Sequence, residues 1–276
     1  MKKVLLLAVA FVATMASAQV LNVASVEKLD IPANADSKIA GISPDGAYVL
    51  ITSQSNAGLQ QFDLASKKVI EITDAEGAGY NVEISADSKA ITYREVLYAA
   101  DRTRMTALKS YDVETAKKAT LVKATRDVNQ ARAKRAIAPT VIARGGKIEV
   151  ALGTVVKELT PNGQGAYIWA SLSPNGSKIL YYCNGVWVCN VDGSNPKRIG
   201  NFHAPQWYND NVVVGMNDED NGYVVTASSI VAYTLDGEKQ VLTNGGVMAM
   251  YPYVSADGSK IVCSTPAGEA YLINIK

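Results

Sequence analysis

The chain has 276 residues, 48% of them hydrophobic, with 27 Lys and Arg against 26 Asp and Glu, a formal charge of +1, three cysteines and one histidine. So balanced a charge excludes the broad basic surface of a general nucleic-acid binder. The three cysteines and the single histidine lack the paired spacing of a zinc site.

The N-terminus reads as a secretory signal. Lys2 and Lys3 precede the apolar run Val4 to Val12, and Ala16-Ser17-Ala18 supplies a small-x-small cleavage site. The run breaks at Thr14, short of the roughly 20 residues that a spanning helix needs. No cysteine follows it to accept a lipid anchor, and no other stretch is apolar and long enough to span a bilayer. The expectation is a signal peptide over 1–18 and one soluble domain over 19–276, periplasmic or secreted. Loss of Lys2 and Lys3 turns the formal charge from +1 to −1.

One turn motif then recurs. Ser43-Pro44-Asp45-Gly46, Ser85-Ala86-Asp87-Ser88, Ser173-Pro174-Asn175-Gly176 and Ser255-Ala256-Asp257-Gly258 each precede a short apolar strand. A worn copy, Tyr208-Asn209-Asp210-Asn211, precedes Val212-Val213-Val214. Ser bonds the local backbone, Pro presets φ, and Asp-Gly closes a tight turn, so the motif joins strands and carries no catalysis. The copies lie 42, 88, 35 and 47 residues apart. The double gap is expected to hold a degraded unit whose strands are Pro139 to Ala143, Ile148 to Leu152 and Val155 to Leu159. A second anchor, such as Phe62-Asp63-Leu64 or Tyr233-Thr234-Leu235, ends a later strand of each unit.

Six units of roughly 40 to 45 residues with four short strands each predict an all-β, six-bladed β-propeller of four-stranded antiparallel blades. The last unit stops near its third strand, so Val20 to Leu29 is expected to supply its outer strand and close the ring. These turns and strands resemble the TolB-like, WD-like propeller repeats of bacterial envelope proteins, over nearly all of residues 19–276. The resemblance implies the fold and a place in the envelope. Only about ten residues separate the signal from the first unit, so the α/β domain that precedes the propeller in TolB is not expected here.

Candidate sites are few. Asn184-Gly185 between Cys183 and Cys189 is a hairpin-turn signal; a two-residue turn would put Cys183 opposite Val186 and the two sulfurs on opposite faces, unbonded. Cys183, Cys189 and Cys263 are therefore expected as buried thiols. His203 has no Gly-x-Ser-x-Gly partner motif and is expected at a blade start or interface. Asp218 and Asp220, in Asn217 to Gly222, collect the oxygen donors that calcium prefers, without EF-hand spacing. No other cofactor is expected. Lys117 to Lys147 holds nine basic residues, among them Lys123, Arg126, Arg132, Lys134 and Arg135, against Asp127 alone. That segment is either a solvated face or a site for an anionic partner such as lipopolysaccharide or an acidic glycan. Trp169, Tyr251 and Tyr253 are expected on innermost strands, facing the channel or the next blade.

The function expected is a monomeric, non-catalytic propeller that binds an envelope protein through its channel mouth or one face. The alternative is a glycan- or small-ligand-binding propeller with a hydrolase or lyase site in the channel.

Overall fold

The computed structural model describes residues 19–31, 36–133, 139–243 and 245–276. The expected signal peptide, and Lys134 and Arg135 of the basic segment, lie outside the described residues. Strand β1 (Val23–Lys28) opens the chain. Blade 1 is β2 (Ser37–Ile42), β3 (Tyr48–Ser53), β4 (Leu59–Asp63) and β5 (Val69–Thr73). Blade 2 is β6 (Glu83–Ile84), β7 (Ala90–Tyr98), β8 (Arg104–Asp112) and β9 (Lys118–Thr125), followed by helix α1 (Val128–Ala133). Blade 3 is β10 (Thr140–Arg144), β11 (Lys147–Leu152) and β12 (Val155–Leu159). Blade 4 is β13 (Ile168–Leu172), β14 (Lys178–Tyr182), β15 (Val186–Asn190) and β16 (Lys197–Gly200). Blade 5 is β17 (His203–Trp207), β18 (Val212–Asp220), β19 (Val225–Thr234) and β20 (Lys239–Val241). Blade 6 is β21 (Met250–Val254), β22 (Lys260–Ser264) and β23 (Ala270–Ile275), with β1 as its outer strand. All pairings are antiparallel, and the fold is the six-bladed propeller. Among the described residues no helix is long and apolar enough to cross a membrane.

The core lies between blades. Tyr48, Leu50, Leu59 and Ile72 of blade 1 pack on Ile91, Tyr93 and Tyr111 of blade 2, while Ile39, Val49, Ile51 and Phe62 face Val262 and Leu272 of blade 6. Strand β3 is therefore buried on both faces, which is why it reads as a continuous apolar run. Each fully buried Leu or Ile contributes roughly 1.5–3 kcal/mol over its exposed state.

The turn motifs lie on one face of the ring and bond across blades. The Asp45 N–H donates to Ser88 Oγ (3.3 Å) and Tyr48 Oη to the Ser88 carbonyl (2.9 Å). Asn175 N–H donates to Asp210 (3.0 Å), Tyr208 Oη to the Gly258 carbonyl (2.7 Å), and Asp257 N–H to the Pro44 carbonyl (3.0 Å). Blades 4, 5, 6, 1 and 2 are thus stitched in sequence. Among the described residues blade 3 has no such turn.

Its three strands are the outer three of a normal blade. Lys197 of outer strand β16 pairs with Asp236 of blade 5, and Ile199 lies under Gly237. In blade 3, Lys157 donates to the Asp192 carbonyl of blade 4 and Leu159 lies under Gly193. Strand β12 therefore occupies the outer position and β10 the second, so that the innermost strand is absent among the described residues. Helix α1 stands beside this gap, capped by the Asp127 carboxylate on the Gln130 N–H (2.9 Å).

Two expectations about the Cys183 hairpin are corrected. Tyr182, not Cys183, lies opposite Val186, because Cys183-Asn184-Gly185 forms a three-residue loop in which Cys183 N–H bonds the Gly185 carbonyl (2.8 Å). Asn184 and Gly185 take positive φ, and the shift brings Cys183 and Cys189 into the same cluster with Tyr181. All three cysteines are free and buried; burial pushes the Cys189 and Cys263 thiols up to about 12.

Closure occurs where the surplus N-terminal strand predicts it. Strand β1 pairs with β23 from Val23–Ile275 to Lys28–Tyr271. Before that pairing, the Gln240 amide of blade 5 accepts from the Val20 and Leu21 N–H groups (2.6 and 2.7 Å) and donates to the Leu21 carbonyl (3.0 Å). Gln240→Ala removes all three bonds and is expected to cost about 2 kcal/mol, lowering Tm by roughly 4–8 °C in thermal denaturation.

The turn carboxylates generate a second expectation. Asp45 and Asp87 are held below the usual 3.8, first by the Ser43 and Ser85 hydroxyls respectively. Because the folded values are depressed, their contribution is complete above the unfolded value and vanishes as pH falls through the folded ones. Asn175 of blade 4 accepts the same bonds without titrating. Asp45→Asn with Asp87→Asn should therefore keep the fold while flattening the loss of urea stability below about pH 4.

Candidate functional site

A cavity of about 960 Å³ occupies the axis on the face opposite the turn motifs. Its wall comes from the starts of the inner strands β2, β13, β17 and β21, from the loop before β6, and at blade 3 from α1 and β10. A smaller cavity of about 580 Å³ over blade 1 is bordered by Thr52, Ser53 and Gly58. There Thr52 Oγ1 donates to the Gly58 carbonyl (2.7 Å) and Ser53 Oγ accepts from Ala57 N–H (2.9 Å), so these side chains serve their own hairpin. The axial cavity is the site.

Its aromatics are placed by a repeated backbone distortion. The residue four before the turn Ser or Tyr is left-handed in four blades: Asn81 (φ 50°), Trp169 (φ 53°), Ala204 (φ 46°) and Tyr251 (φ 54°). For Trp and Tyr this costs about 1–2 kcal/mol each. The pairing registers slip at Ile168/Ser171, His203/Gln206 and Met250/Tyr253, as β-bulges require. The bulge leaves neighbouring side chains Ile168 and Trp169 both exposed, and Tyr251 with them. Trp169 and Tyr251 thus face the channel, whereas Tyr253 borders it while packing against the core between blades 6 and 1.

The polar lining is one-sided. It includes Lys38, Arg144 and the amides of Gln54, Asn56, Asn81, Asn129 and Gln206, and no carboxylate among the described residues. Lys38 donates to the Gln54 carbonyl (2.9 Å), and burial lowers its ammonium below the usual range. Arg144 is held between Asp127 and Glu149 (3.1 Å each), with the Asp127 bond raising its pKa most. Behind the wall, Arg94 stacks 5.1 Å from the Tyr80 ring centroid and donates to Asn129 (2.8 Å), while its Nε is buried without a partner among the described residues.

His203 begins β17 at the blade 4–blade 5 interface. Nδ1 lies 2.6 Å from Asp218 Oδ1 and Nε2 lies 3.2 Å from Tyr182 Oη, with the Trp169 ring 5.9 Å away. All three groups are satisfied when Nδ1 donates and Nε2 accepts. Asp218 belongs to β18 and its side chain is only 10% exposed. Asp220 accepts from Gly222 N–H (2.8 Å) in the tip turn. No group of three or more His, Cys, Asp or Glu is placed to hold a metal among the described residues.

The described residues of the basic segment lie on several elements. Lys123 is on outer strand β9 and Arg126 follows it, whereas Arg132 pairs with Glu83 of β6 and Lys147 with Glu158. The larger surface features lie elsewhere. Hairpins β7–β8 and β18–β19 run nine or ten residues per strand, against four to six in most other strands, and end on the channel-mouth face. Blades 2 and 5 oppose each other across the ring, so the two arms flank the mouth. Tyr98 is 59% exposed near one tip, and Tyr223 is 94% exposed at the other.

With this geometry in view, comparison with solved structures is informative about fold. A protein of Agrobacterium tumefaciens assigned as TolB aligns with a TM-score of 0.53 at 16% identity, over 87% of this chain and 90% of that one. In fold, the chain is a TolB-like propeller. TolB from Acinetobacter baumannii aligns with a TM-score of 0.35 at 12% identity, over 85% of this chain and 53% of that one. The Pyrococcus horikoshii acylaminoacyl peptidase aligns with a TM-score of 0.48 at 13% identity, over 83% of this chain and 42% of that one. No family model and no curated protein matches this TolB-like chain.

The His203 pair yields a test. His203→Leu leaves the enclosed Asp218 carboxylate without its partner and should cost about 1–3 kcal/mol in urea denaturation. Adding Asp218→Leu should recover about half of that loss or more, since both polar partners are then gone.

Proposed function

We infer that this is a non-catalytic, exported propeller that binds a protein partner in the cell envelope through its channel-mouth face. The observation that carries this reading is the convergence on one face of a channel rimmed by exposed Trp169 and Tyr251 and of two opposed arms tipped with Tyr98 and Tyr223. Exposed aromatics on rigid elements are typical anchors of recognition surfaces, and the left-handed Trp169 and Tyr251 hold them there at a conformational cost. The N-terminal signal pattern supports export, and the TolB-like fold accords with an envelope setting.

A glycan ligand is the second reading, favoured by the juxtaposition of Trp169 and Tyr251 with several amides, a combination that also suits sugar rings.

The test is capture from envelope extracts on immobilised protein, with Tyr251→Gly and Tyr223→Ala as variants. Tyr251→Gly relieves a left-handed residue, so Tm should change by no more than about 3 °C while capture falls about tenfold or more. Retention of a protein that both variants lose supports the reading. Turnover of a substrate by the pure protein with nothing retained, retention indifferent to both variants, or selective retention of glycans overturns it.

A further inference from the structure

Three exposed aromatic rings border the channel mouth on alternate blades. Tyr80 precedes the inner strand of blade 2, Trp169 lies on that of blade 4 and Tyr251 on that of blade 6. They are 52%, 38% and 42% exposed. Alternate blades of a six-bladed ring are about 120° apart. Each ring is held in place. Arg94 covers one face of Tyr80 (5.1 Å), and Tyr182 and His203 brace Trp169 (5.6 and 5.9 Å). The left-handed backbone fixes where Trp169 and Tyr251 project. Between these rings stand amides: Gln54 and Asn56 beside Lys38 on blade 1, and Gln206 on blade 5. None of these groups belongs to blade 3.

Two properties narrow what such a mouth takes. The first is symmetry. One segment on the axis meets all three rings only if its side chains leave it in three directions. A β-strand offers two, and an α-helix is roughly 10–12 Å wide and repeats every ~3.6 residues. Polyproline II is slender, repeats about every three residues and has no internal hydrogen bonds, so its carbonyls stay open. The second property is a surplus of donors. The amides donate and accept, whereas Lys38 and the Trp169 indole N–H only donate, and the lining holds no carboxylate among the described residues. Gln54 gives one N–H to the Ser37 carbonyl (3.1 Å) and keeps the other. Proline has a carbonyl and no N–H, so a proline run brings acceptors alone.

We propose that an uncharged, proline-rich segment of a partner protein enters the channel mouth as a polyproline II helix, successive prolines facing Tyr80, Trp169 and Tyr251 in turn. This rests on the channel mouth being the recognition surface, and names the chemistry of what it takes. Proline rings pack on the aromatic faces, as in other aromatic-lined sites for such helices. The Trp169 indole and the amides of blades 1 and 5 donate to the outward carbonyls. Segment and rings are both rigid beforehand, so docking loses little conformational entropy. Because the rings surround the segment, uninterrupted prolines suit this mouth better than prolines at every third position.

Selection on the intact protein from a random peptide library of about ten residues per member should enrich uncharged runs of about three or more prolines. By calorimetry, a capped oligoproline of about nine residues should bind about tenfold or more tightly than a Gly-Ser peptide of equal length. Tyr80→Ala, Trp169→Gly and Tyr251→Gly should each weaken that binding about tenfold. Trp169→Phe keeps a ring and removes the indole N–H, so it should weaken binding about threefold while Tm stays within about 3 °C. Enrichment of charged or proline-free peptides, failure to enrich any, equal binding of the Gly-Ser peptide, or indifference to two of the ring variants overturns the proposal. So does binding of cellohexaose, with none of oligoproline, that the same variants abolish. Envelope capture that depends on Tyr251 but is not competed by oligoproline would sink the proline chemistry alone and leave the wider recognition surface standing.

Discussion

The sheets of blades 1, 4, 5 and 6 each have two apolar faces, and no sheet can cover both by itself. That constraint organises the rest. Blade 1 uses Leu50 and Ile72 on one side and Val49 and Phe62 on the other, so it needs blade 2 and blade 6 at once. Five of the six blade boundaries hold such a core cluster, and among the described residues the boundary between blades 2 and 3 holds none. Closure in turn needs the two ends of the chain in one blade, which the β1–β23 pairing provides. The Gln240 side chain fastens the incoming segment to blade 5 before it reaches blade 6. The turn motifs act at a second level, linking neighbouring blades through bonds such as Asp257 N–H to Pro44 and Tyr208 to Gly258.

The same ring divides the molecule into two unlike faces. The turn face is a rim of short, mutually bonded loops whose carboxylates are occupied by serine hydroxyls and backbone N–H groups. Little is left there to engage another molecule. The opposite face carries the left-handed aromatics, the long hairpins of blades 2 and 5 and the one-sided polar lining of the channel. Backbone strain and exposed aromatics therefore collect on one side, where stability is not what they serve.

Blade 3 breaks both patterns. Among the described residues it lacks both the stitching turn and an inner strand, and the chain's basic segment runs into it. Of its described charges, Arg132, Arg144 and Lys147 are matched by Glu83, Asp127, Glu149 and Glu158. What the interruption changes is the channel wall, where β10 takes the place of an inner strand.

The sequence by itself determined the count of blades, the positions of the turns and the closing strand, because these depend on local chemistry: Ser-x-Asp turn bonding, alternation of apolar residues and a strand surplus at one end. It also placed Trp169 and Tyr251 on inner strands. Tertiary structure alone decided the rest. The left-handed bulges that turn those aromatics outward depend on register between strands. The Cys183 loop gained a residue because the Tyr182–Val186 pairing outweighed the tightest turn. His203 found Asp218 and Tyr182 only because the blade 4–blade 5 interface stacks them, 15 and 21 residues away in the chain. Which radial positions the three described strands of blade 3 fill is visible only from its neighbours, since three strands in sequence do not reveal it.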